Sequence, residues 1–74
     1  MSRIQIRSEI SGTVWKIETK PGEAVETDAP LLILESMKME IPVLAPRNGH
    51  VSEIRVSEGE SVTEGQVLAT FEAA

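Results

Sequence analysis

The chain has 74 residues, no cysteine and a net charge of −5, from seven Lys and Arg against twelve Asp and Glu. That length fits one domain, residues 1–74, and the absence of cysteine excludes disulfides and Cys-type zinc or iron–sulfur sites. An acidic chain with one Trp and one Phe lacks the basic grooves and stacking aromatics that nucleic acid demands.

Residues 1–10 alternate charged residues with isoleucine and do not read as a signal peptide. No apolar run nears the roughly twenty residues of a membrane span, so no direct membrane association and a cytoplasmic location are expected. Arg3-Ile4-Gln5-Ile6-Arg7 has the period of two of a half-buried strand, with Ile4 and Ile6 inward. Gly12 opens a second extended segment through Val14, Trp15 and Ile17; the spacing of Val14 and Ile17 calls for a bulge if both face inward. Lys20-Pro21-Gly22 and Thr27-Asp28-Ala29-Pro30 read as turns, with Val25 an apolar anchor between them. An apolar run follows at residues 31–34; beyond residue 40, Ile41 and Val43 alternate with Pro42, and Pro46-Arg47-Asn48-Gly49 turns the chain again. His50, beside Asn48-Gly49, reads as a solvated turn histidine, and alone it builds no histidine-rich metal site.

From Gly49 the pattern starts over. A shift of 37 residues superposes Gly12 on Gly49, Val14 on Val51, Ile17 on Ile54, Gly22 on Gly59, Glu23 on Glu60, Val25 on Val62, Leu31 on Leu68 and Glu35 on Glu72. These are eight identities in 24 positions without a gap, and the same shift lays Ile41 and Val43 over Ile4 and Ile6. Two copies of one supersecondary unit, each too small to bury its own face, predict a quasi-twofold fold. The expected architecture is all-β: a flattened barrel or sandwich of two small antiparallel sheets. Its core is expected at Ile4, Ile6, Val14, Ile17, Val25, Leu32, Leu34, Ile41, Val43, Val51, Ile54, Val62, Ala69 and Phe71. Trp15 matches Ser52 in the other copy, so core symmetry does not require it, and a surface or edge position is expected. Symmetry also places Met1-Ser2 and Glu72-Ala73-Ala74 together, at the pole away from residue 38.

Glu35-Ser36-Met37-Lys38-Met39-Glu40 stands at the middle of the chain. Propensity favours helix across residues 31–40. The matching segment Leu68-Ala69-Thr70-Phe71-Glu72 is strand-compatible, however, and Pro42 would break a helix soon after Glu40. Two strands meeting at a tight hairpin around Met37-Lys38 are therefore expected. Both central residues of such a turn usually need positive φ, at a cost of roughly 1–2 kcal/mol each for Met and Lys. A local rule broken at one chemically distinctive residue marks a functional site. A free alkylammonium, with a reference pKa of roughly 10.4, is a poor nucleophile at pH 7. Acylated by another enzyme, it becomes a long flexible stem for a cofactor. No Ser-His-Asp set, phosphate-cradling loop or carboxylate dyad suggests that the chain is an enzyme by itself.

Met37-Lys38-Met39 and its flanks resemble the biotin attachment site of biotin carboxyl carrier proteins and small biotin/lipoyl attachment proteins, with Ser36 where the family commonly has alanine. The resemblance runs from about Ile10 to Phe71. It implies biotin held covalently on Lys38, with Glu35, Ser36, Met37, Met39 and Glu40 as the flank read by a biotin protein ligase. It further implies a non-catalytic subunit that carries a carboxyl group from a biotin carboxylase to a carboxyltransferase of an acyl-CoA carboxylase such as acetyl-CoA carboxylase. Alternatives stay open: a lipoyl carrier or dual biotin/lipoyl attachment protein, lipoyl sites more often reading Asp-Lys-Ala, or the carrier subunit of a biotin-dependent decarboxylase. The segment at residues 18–23 is too short for the extra "thumb" loop of some bacterial carriers, and a free-standing carrier is expected, with a terminal fragment of a longer carboxylase as the alternative.

Overall fold

A computed structural model describes residues 2–74. Eight strands follow one another: β1 (Arg3–Arg7), β2 (Gly12–Ile17), β3 (Ala24–Val25), β4 (Pro30–Ser36), β5 (Met39–Leu44), β6 (Gly49–Ile54), β7 (Ser61–Val62) and β8 (Val67–Ala73). The 37-residue shift carries β1 to β4 onto β5 to β8 to within one residue. The strands form two antiparallel four-stranded sheets, ordered β1-β8-β6-β3 and β5-β4-β2-β7. Each sheet takes two strands from either copy. Interleaving is how two units without a core of their own come to share one.

The bulges repeat as faithfully as the strands. Val14 pairs with Leu34 and Lys16 with Ile33, so Trp15 is the extra residue of β2; in β6 Ser52 occupies the same place, between Val51 opposite Phe71 and Glu53 opposite Thr70. The bulge re-aims the strand so that both Val14 and Ile17 pack inward, as their spacing requires. A second pair of bulges falls at Leu31 and Leu68, where register slips between Pro30 and Leu32 and between Ile6 and Arg7. There two consecutive residues are buried, Leu31 with Leu32 and Leu68 with Ala69.

The interior has two buried clusters. One holds Ile6, Leu31, Ala45, Val51, Ala69, Phe71 and Ala73; the other holds Val14, Leu32, Leu34, Val56, Val62 and Leu68. Five of these lie outside the alternation-based core: Leu31 and Leu68 because bulges break the period of two, and Ala45, Val56 and Ala73 because they close the ends. Ile4, Ile17, Val25, Val43 and Ile54 are half-buried and pack against the clusters. Ile41, expected in the core, instead lines an open groove of about 450 Å³ between β1 and β5, with Ile4, Ile6, Ile10, Leu34 and Val43. These two edge strands do not pair, so their inward side chains keep one side open. Pro42 is tolerated in β5 because that strand is an edge. His50 is likewise not in a turn: it is half-buried in β6, opposite Ala24 and Glu72.

Several identities of the repeat have local causes. Gly22 and Gly59 sit at φ 88° and 89°, which only glycine adopts without strain. The Glu23 carboxylate accepts the Lys20 N–H at 3.2 Å and Glu60 accepts the Ser57 N–H at 3.0 Å, closing the same turn twice. A Cβ on Gly12 would stand 2.5 Å from the Glu35 carbonyl oxygen, and one on Gly49 would meet the Glu72 carbonyl closer still.

The domain measures 35 × 17 × 17 Å. Leu31, early in β4, packs with Phe71 and Ala73 late in β8, whereas Leu68, early in β8, packs with Leu32 and Leu34. The two strands therefore run oppositely across the sandwich, which sends the ends of β4 and β8 to opposite poles. At the β8 pole the Ala73 N–H donates to the Ser2 carbonyl at 2.8 Å, so the chain ends meet away from the β4–β5 hairpin. Met1 lies outside the described residues.

Candidate functional site: the Met37–Lys38 turn

β4 and β5 pair down to their tip, Leu34 opposite Ile41, Glu35 opposite Glu40 and Ser36 opposite Met39. Met37 and Lys38 are left as a two-residue loop with φ of 52° and 66°, the double-positive combination of a type I′ turn. L-residues resist that region by roughly 1–2 kcal/mol each, so the surroundings must hold the turn. They do so from below. Leu32 and Leu34 anchor β4 in the core, and Thr13 of β2 pairs with Glu35. Gly12 lets the β2 backbone lie directly against the Glu35 carbonyl and the Ser36 Cβ.

The hairpin brings all six expected residues together. Met37 is 92% exposed and Met39 64%, so neither thioether contributes to the core; they present an apolar collar beside the lysine. Lys38 is exposed at the apex. The ion pairs among the described residues are Arg3–Glu72, Lys16–Glu18 and Arg55–Glu53, and Lys38 belongs to none. Glu35 and Glu40 face each other across the ribbon, a like-charge pairing that costs stability but keeps the tip solvated. Among the described residues, no group of three or more His, Asp or Glu is placed to hold a metal ion. The arrangement offers an amine on a solvated stem, at a fixed place, to an enzyme that approaches from outside. Its acyl derivative would remain equally accessible.

A family model described as "Biotin-requiring enzyme" matches residues 4–71. The chain belongs to the biotin/lipoyl family. It is 47% identical over 60 residues to the biotin/lipoyl attachment protein of Bacillus subtilis, covering 81% of this chain and 82% of that one. It is 41% identical over 66 residues to the biotinylated protein TB7.3 homolog of Mycobacterium leprae, covering 89% and 93%. Among solved structures, the urea carboxylase of Kluyveromyces lactis contains a region that superposes with a TM-score of 0.90 at 30% identity, over 97% of this chain and 6% of that one. A single-chain, multi-domain long-chain acyl-CoA carboxylase does so with a TM-score of 0.92 at 28% identity, over 97% and 7%. The chain thus spans most of the small relatives and less than a tenth of the large carboxylases.

The apex was legible in advance; its support was not. Gly12 belongs to the site because its missing Cβ admits the Glu35 carbonyl. Its identity with Gly49 under the repeat was the available signal, since Gly49 meets Glu72 in the same way. Among the described residues no helix is long and apolar enough to cross a membrane.

Proposed function

We propose that Lys38 carries biotin and that the domain is a carboxyl carrier in a biotin-dependent carboxylase. The observation that carries this reading is the solvated amine at a strained, double-positive-φ apex, at the pole away from the chain ends, within a family match over residues 4–71. The amine and its surroundings fit the group: the apex has room on all sides and no ion pair among the described residues to break. A biotin protein ligase would read the flank formed by Glu35, Ser36, Met37, Met39 and Glu40. With biotin activated by ATP as its acyl adenylate, Lys38 Nζ, having lost a proton, would attack the acyl carbon; the C–O bond to AMP would break, and an amide would form with AMP released. Bound there, biotin supplies a ureido nitrogen able to take up and release a carboxyl group. The chain's own residues present it: the turn fixes where the stem begins, Glu35 and Glu40 keep the tip in water, and the paired strands resist reorientation.

On this reading the domain performs no catalysis itself. It works beside a biotin carboxylase and a carboxyltransferase in the cytoplasm, and tethering raises the effective concentration of the carried group at each. The name shared by the 47% identical relative keeps lipoate as a second cofactor. Incubation with biotin protein ligase, ATP and biotin, followed by intact mass and tryptic mapping, tests the assignment. One biotin at Lys38 is expected, with none on Lys38→Arg. Label on Lys16 or Lys20, or protein from its native cell that carries a lipoyl group and never biotin, would overturn it.

A further inference from the structure

The large apolar side chains exposed among the described residues are Trp15, Leu44, Met37 and Met39, and the two methionines are the most exposed of the four. Singly exposed apolar residues are ordinary. These two instead flank one lysine, Met37 inside the turn and Met39 opposite Ser36 at its base. The fold gives neither a role. Both buried clusters are built without methionine. At φ 52° the backbone of residue 37 would be easier with Asn or Gly. The 37-residue shift carries Met37 to Ala74 and Met39 to Ser2, so the repeat asks for no thioether either.

A thioether exposed in this way is open to hydroperoxides, which convert it to a sulfoxide. The sulfur lone pair takes one oxygen of the peroxide: an S–O bond forms and the O–O bond breaks. The proton on the transferred oxygen passes to the departing hydroxide, which leaves as water. Sulfur loses two electrons and the peroxide gains them. Reversal takes a dithiol, which becomes a disulfide while the oxygen leaves in water. This chain has no cysteine, so a methionine sulfoxide reductase must supply that dithiol. A sulfoxide in a core disrupts packing; at residues 37 and 39 it stays in water, and the fold is spared. The collar is what changes. Two apolar surfaces become hydrogen-bond acceptors, and burying these against an apolar partner surface is penalised.

We propose that Met37 and Met39 form an oxidation site for hydroperoxides, and that their sulfoxides hold the chain in a form that biotin protein ligase labels slowly. This rests on the reading of Lys38 as the biotin-bearing residue. The test treats the unlabelled full chain with hydrogen peroxide and isolates the species with sulfoxide at both positions. Tryptic cleavage after Lys38 places Met37 and Met39 on separate peptides, apart from Met1 and Trp15. Initial labelling by ligase, ATP and biotin should be about 10-fold slower than for untreated chain, the equivalent of about 1.4 kcal/mol, with an unchanged thermal midpoint. Methionine sulfoxide reductases of both epimer specificities, with dithiothreitol, should restore the rate. Met37→Leu with Met39→Leu keeps the collar apolar, and its rate should not respond to peroxide. Equal rates for oxidised and untreated chain would overturn the proposal, as would a midpoint that falls with the rate. So would an equal loss in the leucine variant, which would place the damage at Met1 or Trp15. Recovery by the reductases keeps the test decisive whatever the leucine variant's own rate. An untreated chain that takes no biotin at Lys38 would remove the attachment reading itself, and this inference with it.

Discussion

The strain at the apex is measurable, because one substitution should stabilise the fold while abolishing its use. Lys38 sits at φ 66° with its side chain in solvent, so Lys38→Gly removes almost no packing. It relieves a left-handed conformation worth roughly 1–2 kcal/mol for an L-residue. Against this, glycine adds about 0.5–1 kcal/mol of conformational freedom to the unfolded chain. At the midpoints of these two ranges the balance is a gain of about 0.75 kcal/mol. At about 4–8 °C per kcal/mol for a domain of this size, the thermal midpoint should rise by about 3–6 °C. Differential scanning calorimetry on wild type, Lys38→Gly and Lys38→Arg is the assay. Lys38→Arg keeps the β-carbon, and with it the strain, so its midpoint should stay with wild type; neither variant should accept biotin. The repeat supplies a control, since Asp28 at φ 69° matches Gly65 at φ 87°. Gly65→Ala should lose about 1 kcal/mol for the reason Lys38→Gly gains it. A midpoint for Lys38→Gly at or below wild type would refute the claim that the surrounding strands hold the turn against its preference.

Exchanging neighbours, Met37→Lys with Lys38→Met, conserves composition and charge but points the amine elsewhere; since 1 Å of misplacement can cost about 100-fold, the variant should stay folded by circular dichroism and be biotinylated far more slowly, and equal initial rates would contradict a presented lysine. Gly12→Ala drives a methyl into the Glu35 carbonyl, so urea unfolding should show a loss of about 1–3 kcal/mol together with slower biotinylation; a neutral result would mean that β2 does not brace the hairpin. A tag fused to either end should leave the biotinylation rate unchanged, because Ser2 and Ala73 meet at the pole away from Lys38; impaired labelling of a folded fusion would contradict that placement.

Much of this protein is set locally, and the sequence by itself determines it. Period-two alternation marks β1 and β5, the gapless 37-residue repeat sets two quasi-equivalent halves, and Met37-Lys38 between matched segments reads as a turn because Pro42 and the partner copy exclude a helix. These follow from a chain that repeats its own instructions, each residue of one half testing the reading of the other. Tertiary structure alone decided the rest. Which sheet each strand joins depends on burying two incomplete faces together, and no residue encodes that by itself. Leu31 and Leu68 were hidden because a bulge buries two neighbours in succession, against the alternation used to find the core, whereas Ile41 kept the alternation and yet opens onto a groove because β1 and β5 remain unpaired edges. The hairpin's brace was hidden in the same way. Gly12 matters through an atom it lacks, and the carbonyl it admits belongs to Glu35, a residue brought beside it only when β2 and β4 pair.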